Sequence, residues 1–140
     1  MFNHHRFALE PVMTLQIMLV DDNLTFMASV KKTLKLVPNT QVVAEAHNGQ
    51  EALELAQRLQ PDLMLLDIVM PGLTGLDVAR AMQGWAHSPR VLFLSMHDNE
   101  SYRIAAQALG ALGLVGKANF VAELLPIIAG LAAPSAEVSS

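Results

Sequence analysis

Apolar and polar positions along the chain fall into two alternating patterns. The first is a short apolar run that ends in a polar residue. It occurs at Gln16–Val20 before Asp21 and Asp22, at Leu63–Leu66 before Asp67, at Val91–Leu94 before Ser95, and at Leu112–Val115 before Lys117. Short apolar runs bounded by chain breakers read as strands buried on both faces, the habit of parallel sheets. Gln41–Ala46, rich in β-branched residues, reads as a further strand. The second pattern recurs at helical spacing. Phe26, Met27, Val30 and Leu34 mark a helix over Leu24–Leu36, with Lys31, Lys32 and Lys35 toward its C-terminal end, where the helix dipole favours cations. Ala52, Leu55, Ala56 and Leu59 mark a second helix over Glu51–Leu59, after an expected turn at Asn48 and Gly49. Leu76–Met82, Glu100–Leu109 and Phe120–Leu131 complete the set, with Gly84 and Gly110 as stops and Pro126 expected to kink the last helix.

Strands joined through helices run parallel, and right-handed crossovers place helices on both faces of the sheet. The prediction is a doubly wound, flavodoxin-like (βα)5 fold with strand order 2-1-3-4-5. Residues 15–133 make the domain, residues 1–14 a loose leader, and residues 134–140 a disordered tail or the start of a linker.

Composition narrows the function. With 140 residues the chain is long enough for one domain with a genuine core. The absence of cysteine removes disulfides, thiol catalysis and Cys-ligated metals. No apolar run approaches the roughly 20 residues that span a bilayer, and no signal-peptide pattern opens the chain, so the expected location is the cytoplasm. A net charge of −4 gives no support for direct nucleic-acid binding by this segment. Only 16% of residues are charged while 52% are hydrophobic, so part of the apolar excess is expected on a surface that meets a partner.

In a parallel sheet all strand C-termini share one edge, and ligands bind there, in the crevice where strand order reverses. That edge collects Asp21, Asp22, Asp67, Ser95 and Lys117. Crowded carboxylates raise one another's pKa unless a cation neutralises them. An all-oxygen set with few protein donors suits Mg2+, which keeps several waters. A carboxylate beside a divalent metal, a hydroxyl and a compact lysine charge can attack a phosphoryl group and form an aspartyl phosphate.

The residues at these strand ends resemble the receiver domain of bacterial two-component response regulators. The resemblance rests on LVDDN (Leu19 to Asn23), LLDIVMPGLTG (Leu65 to Gly75), LSMHD (Leu94 to Asp98) and GALGLVGK (Gly110 to Lys117), and extends over about residues 14–133. The wording is most similar to the NarL/FixJ (LuxR-type) class, which usually precedes a helix-turn-helix domain. The resemblance implies that Asp67 is the phosphoacceptor and that Asp22 ligates Mg2+ directly, with Mn2+ able to substitute. Asp21 would act largely through water, and the Val69 carbonyl would complete the protein's share of the shell. Lys117 and Ser95 would contact the phosphoryl oxygens, with Ser95 moving to switch the domain. Val69 and His97 would tune the lifetime of the phosphoryl group. Leu114 stands where many receivers carry an aromatic coupled to the switch hydroxyl, and Ala118 where some carry proline. The implied phosphodonor is a sensor histidine kinase or phosphotransfer protein. The chain would then be a signalling phosphoacceptor, at most slowly self-dephosphorylating, rather than a turnover enzyme.

Each residue also has a plainer reading. Asp22 or Asn23 caps the first helix, Asp67 forms a turn, Ser95 is a strand-end hydroxyl, and Lys117 is a solvated charge. Three other functions use related chemistry or the same fold. A flavodoxin-like electron carrier needs a glycine- and hydroxyl-rich phosphate loop after the first strand, where this chain has DDNLT. A Mg2+-dependent phosphohydrolase needs a second Asp two residues after the first-strand nucleophile, which Asp21-Asp22-Asn23 does not supply. A stand-alone receiver would act through protein–protein contacts alone. In the last helix Val121, Leu124, Leu125, Ile128 and Ala132 form one stripe for the sheet. Phe120, Ile127 and Leu131 fall outside its middle, which predicts a partner surface, a homodimer face, on the last two helices.

Overall fold

The computed structural model describes residues 14–97 and 99–133. The expected leader up to residue 13 and the tail from residue 134 lie outside them. In chain order the elements are β1 (Leu15–Val20), α1 (Leu24–Leu34), β2 (Thr40–Ala46), α2 (Gly49–Leu59), β3 (Leu63–Asp67), α3 (Gly75–Met82), β4 (Arg90–Ser95), α4 (Glu100–Ala108), β5 (Gly113–Gly116) and α5 (Phe120–Ala132). A 3-10 turn, Lys117–Asn119, leads into α5. The sheet has five strands, all paired parallel as the alternation of patterns predicted, in the flavodoxin-like order β2-β1-β3-β4-β5.

The two faces of the sheet explain why its central strands are apolar throughout. Met18, Val20, Met64, Leu66, Phe93 and Leu114 pack on one side with Ala52 and Ala56 of α2, Val78, Ala79 and Met82 of α3, and Ala106 of α4. Ile17, Leu19, Leu63, Leu65, Leu92, Leu94 and Val115 pack on the other with Met27, Val30 and Leu34 of α1 and Leu124, Ile128 and Ala132 of α5. Side chains alternate across a strand, so burial on both faces demands an uninterrupted apolar run. Trp85 is partly buried against the first core, just beyond α3, and its amide donates to the Met82 carbonyl at 3.2 Å.

Several boundaries differ from those predicted. Asn48 is the N-cap of α2, its side chain accepting from the Glu51 amide at 2.8 Å, so Gly49 opens the helix rather than closing a turn. Helix α1 ends at Leu34, and Leu36 beyond it is 72% exposed. β5 begins and ends one residue later than expected, because Gly116 pairs with Ser95. Helix α5 continues through Pro126. Ala122, whose carbonyl loses its intrahelical donor to that proline, is on the exposed side of the helix, where water can serve it.

Helix α5 also sits in a different rotation from the one its apolar stripe suggested. Leu124, Ile128 and Ala132 form the buried centre, while Phe120, Leu125, Ile127 and Leu131 flank it on the same core. The surplus apolar residue is Val121, 44% exposed, rather than Phe120, Ile127 and Leu131.

Gly75, the first residue of α3, fixes the approach of that helix to the end of β3. A Cβ there would overlap the Asp67 carbonyl oxygen and lie 2.9 Å from Ile68 Cα, both rigid backbone. Gly75→Ala is therefore expected to destabilise the domain by about 3 kcal/mol, read as a lower urea midpoint. An unchanged midpoint would show that the α3 entry yields to accommodate a methyl group.

Candidate functional site

The loop after β1 is built around Asp21. Its Oδ1 accepts the Asn23 amide at 2.9 Å, and Asn23 Oδ1 in turn accepts the Phe26 amide at 2.9 Å as the N-cap of α1. Asn23 therefore performs the capping that Asp22 was an alternative candidate for, and Asp22 stays exposed at the mouth of the site. The Asp21 amide continues the sheet by donating to the Ala46 carbonyl at 3.0 Å, which holds Asp21 at the strand edge.

Register places Asp67 beside it. Val20 pairs with Leu66, so the residues that follow, Asp21 and Asp67, emerge side by side. Both are buried, at 2% and 4% exposure. Lys117 leaves the end of β5, and its Nζ lies 2.7 Å from Asp21 Oδ2 and 3.5 Å from Asp67 Oδ2. Its side chain is only 7% exposed. The contact with Asp21 is an ion pair without hydrogen-bond alignment, so the buried Asp21 Oδ2 has no hydrogen bond.

Oxygens of Asp21, Asp22 and Asp67 all lie within 4.8 Å of one another. Three carboxylates against one ammonium leave two negative charges in a pocket partly shielded from water. Burial, and then the Asp21 charge, push the Asp67 carboxyl up from 3.8 to about 6, against the lowering pull of Lys117 and of a hydrogen bond from the Val69 amide. The donor chemistry fits a hard divalent cation: oxygen ligands only, one carboxylate open to solvent, and an excess charge of the size such an ion carries.

The remaining predicted residues take different places. Ser95 is fully buried, but its hydroxyl is bound within its own loop: it donates to the His97 carbonyl at 2.9 Å and accepts the His97 amide at 3.0 Å. His97 is exposed beside it. Val69 is 52% exposed just after Asp67. Leu114 is buried in the α2–α4 core, which Tyr102 of α4 also flanks.

Strand alternation sorts these groups. Asp21, Asp67 and Lys117 continue the phase of Leu19, Leu65 and Val115, which face α1 and α5. Ser95 continues the phase of Phe93, which faces α2, α3 and α4. Sequence reasoning missed one participant. The Phe26 ring lies under the ammonium of Lys117, 4.6 Å from Nζ to its centroid, and meets Phe120 edge-on at 5.0 Å. Phe26 fits the core stripe of α1 equally well, and nothing in its spacing signals a residue from the other end of the chain.

Comparison with known proteins agrees with this arrangement. Residues 17–129 match the response regulator receiver domain family. The chain is 37% identical over 103 residues to the transcriptional regulatory protein DegU of Brevibacillus brevis, covering 74% of this chain and 44% of that protein. It is also 37% identical over 101 residues to the nitrate/nitrite response regulator NarL of Escherichia coli, covering 72% of this chain and 47% of that one. The receiver domain of the response regulator NarL from Mycobacterium tuberculosis superposes with a TM-score of 0.78 at 34% identity, covering 85% of this chain and 96% of that domain.

The chain belongs to the response regulator receiver domain family, and its relatives include LuxR-type regulators. It spans less than half the length of the two curated relatives. Among its described residues no helix is long and apolar enough to cross a membrane. Receiver domains bind Mg2+ at an acidic pocket, and the three carboxylates here are of the kind that could hold it.

The raised Asp67 pKa gives a stability prediction for metal-free protein. Unfolded, this carboxyl loses its proton near 3.8; folded, near 6. Between those values the native state binds more protons, so its contribution to stability falls as pH rises through the window. The full difference corresponds to roughly 3 kcal/mol at neutral pH, with the opposing pull of Lys117 already included. With EDTA present, Asp67→Asn should raise the unfolding free energy by about 1–2 kcal/mol at pH 7 and by little at pH 4, measured by urea titration. Equal effects at both pH values would contradict the assignment of the burden to Asp67.

Proposed function

We propose that Asp67 accepts a phosphoryl group from a phosphohistidine on a sensor histidine kinase or phosphotransfer protein, and that the resulting charge switches the domain. The observation that carries this reading is the buried Asp67 carboxylate, flanked by Asp21 and held 3.5 Å from the Lys117 ammonium. A carboxyl that titrates at about 6 is ionised in most molecules at neutral pH, yet more basic than a solvated carboxylate. Both properties suit a nucleophile. An Asp67 oxygen attacks the phosphorus, the P–N bond to the donor imidazole breaks with its electron pair going to nitrogen, and an acyl phosphate remains. Lys117 offsets the charge on the transferring oxygens.

Asp22, Asp67 and the Val69 carbonyl would hold Mg2+ directly, and Asp21 through water. Bound there, the ion supplies further charge compensation for the phosphoryl oxygens. To reach the phosphoryl group, the Ser95 hydroxyl gives up both of its bonds to His97, which frees the loop before α4. Leu114 offers no ring to follow that hydroxyl, so the α2–α4 core, where Leu114 packs with Phe93, is left to register the change through packing. Val69 and His97, exposed beside the site, tune the access of water to the acyl phosphate.

For output we infer regulation of transcription through a DNA-binding segment beyond the matched residues, in keeping with the names of DegU and NarL. The alternative is a stand-alone receiver that acts by contact. Ile104 of α4 and Val121 of α5 are 58% and 44% exposed, apolar residues that a homodimer through the last two helices would cover.

With acetyl phosphate and Mg2+, the protein should gain one phosphoryl mass that hydroxylamine removes, and Asp67→Asn should gain none; labelling of that variant at the wild-type level would end the assignment. Lys117→Ala should still take up phosphate, at least about tenfold more slowly, but without the accompanying spectral change. Light scattering with and without beryllofluoride should show a monomer–dimer shift that Ile104→Glu abolishes. A monomer in both conditions would exclude the dimer.

A further inference from the structure

The surroundings of Lys117 are specific on three sides. Asp21 Oδ2 lies 2.7 Å from Nζ and Asp67 Oδ2 lies 3.5 Å from it, while the face of the Phe26 ring closes a third side at 4.6 Å. Both carboxylates hold the ammonium by charge, and with its side chain 7% exposed little water is available to it on the remaining side. An aromatic face can attract it there electrostatically, and such contacts strengthen when shielded from water. The ring itself is fixed at both ends. Its backbone amide is tied to the Asn23 cap, which binds Asp21, and its side chain meets the Phe120 ring at 5.0 Å with a 66° interplanar angle.

We propose that Phe26 is a positioning residue, holding the Lys117 ammonium between Asp21 and Asp67 by a cation–π contact, with Phe120 bracing the ring from α5. The inference rests on the phosphoacceptor reading of Asp67 and adds the device that keeps its lysine in reach. Without the ring, Lys117 has only its tighter partner, Asp21, to orient it, and Asp67 loses the nearby charge. Because the brace comes from α5, the same contact makes the lysine's position sensitive to how that helix sits.

The test replaces Phe26 by 4-fluoro-, 3,5-difluoro- and 3,4,5-trifluorophenylalanine, which keep ring shape and apolar character while draining charge from its face. In the unphosphorylated wild type, the ε-methylene protons of Lys117 should resonate upfield of ordinary lysine because they lie over the ring, and Phe26→Leu should return them. With acetyl phosphate and Mg2+, the initial rate of phosphoryl uptake should fall stepwise with each fluorine, by about threefold to tenfold across the series. Phe120→Leu, which leaves the Phe26 ring intact but unbraced, should slow uptake in the same direction. A rate insensitive to fluorination, with uptake by the wild type normal, would overturn this proposal and leave Phe26 a packing residue. Failure of the wild type to take up the phosphoryl group would instead overturn the reading of Asp67, while the lysine resonances would still report whether the ring holds the ammonium.

Discussion

Lys117 faces two buried carboxylates across distances of 2.7 and 3.5 Å, and the third acid, Asp22, stands open to solvent beside them. Removing such charges from water is expensive, and one ammonium cannot balance three carboxylates. The site is thus held in an unbalanced state by a fold that is stable for other reasons. Asp67 carries much of that imbalance, since burial and its neighbour Asp21 push its carboxyl up to about 6. Added positive charge relieves this strain, as does any reaction that changes what Asp67 carries. A receiver needs that property: a domain whose energy depends on the charge state of one side chain.

The parallel sheet makes the arrangement possible. Each central strand is buried on both faces and so can carry polar groups only where it surfaces, at its ends. Parallel pairing puts all those ends on one edge, and the register of β1 with β3 sets Asp21 beside Asp67. The local chemistry then protects the site from its own helices. Asparagines 23, 48 and 99 cap α1, α2 and α4, while Thr74 and Asp77 cap α3. The acids are consequently not drawn into satisfying helix N-termini.

The pleat divides the site between two cores. Asp21, Asp67 and Lys117 are in phase with the layer that faces α1 and α5, and Ser95 with the layer that faces α2, α3 and α4. A charge placed on Asp67 therefore meets two sets of groups that the sheet otherwise keeps apart. The lysine side holds paired charges and two rings in edge-to-face contact. The serine side is closed by two hydrogen bonds within one turn, which exchange more readily than a buried ion pair.

Apolar runs, breakers and strand-end polar residues were enough to read the parallel sheet and the edge that bears Asp21, Asp22, Asp67, Ser95 and Lys117, while the strand order came only with the flavodoxin-like form of the fold. These features are local, because a strand buried on both faces must be apolar and a chemical group can appear only where it ends. Element ends were less legible. Asn48 serves equally as a turn or a cap, and only the Glu51 amide decides between them. The rotation of α5 was misread because its apolar residues nearly encircle it, so the contour of the β5 and α1 surface selects which of them face inward. The pairing of Phe26 with Lys117 and Phe120 lay beyond the sequence altogether. Ninety-odd residues separate those partners, and their contact exists only because β1 and β5 deliver α1 and α5 to the same face.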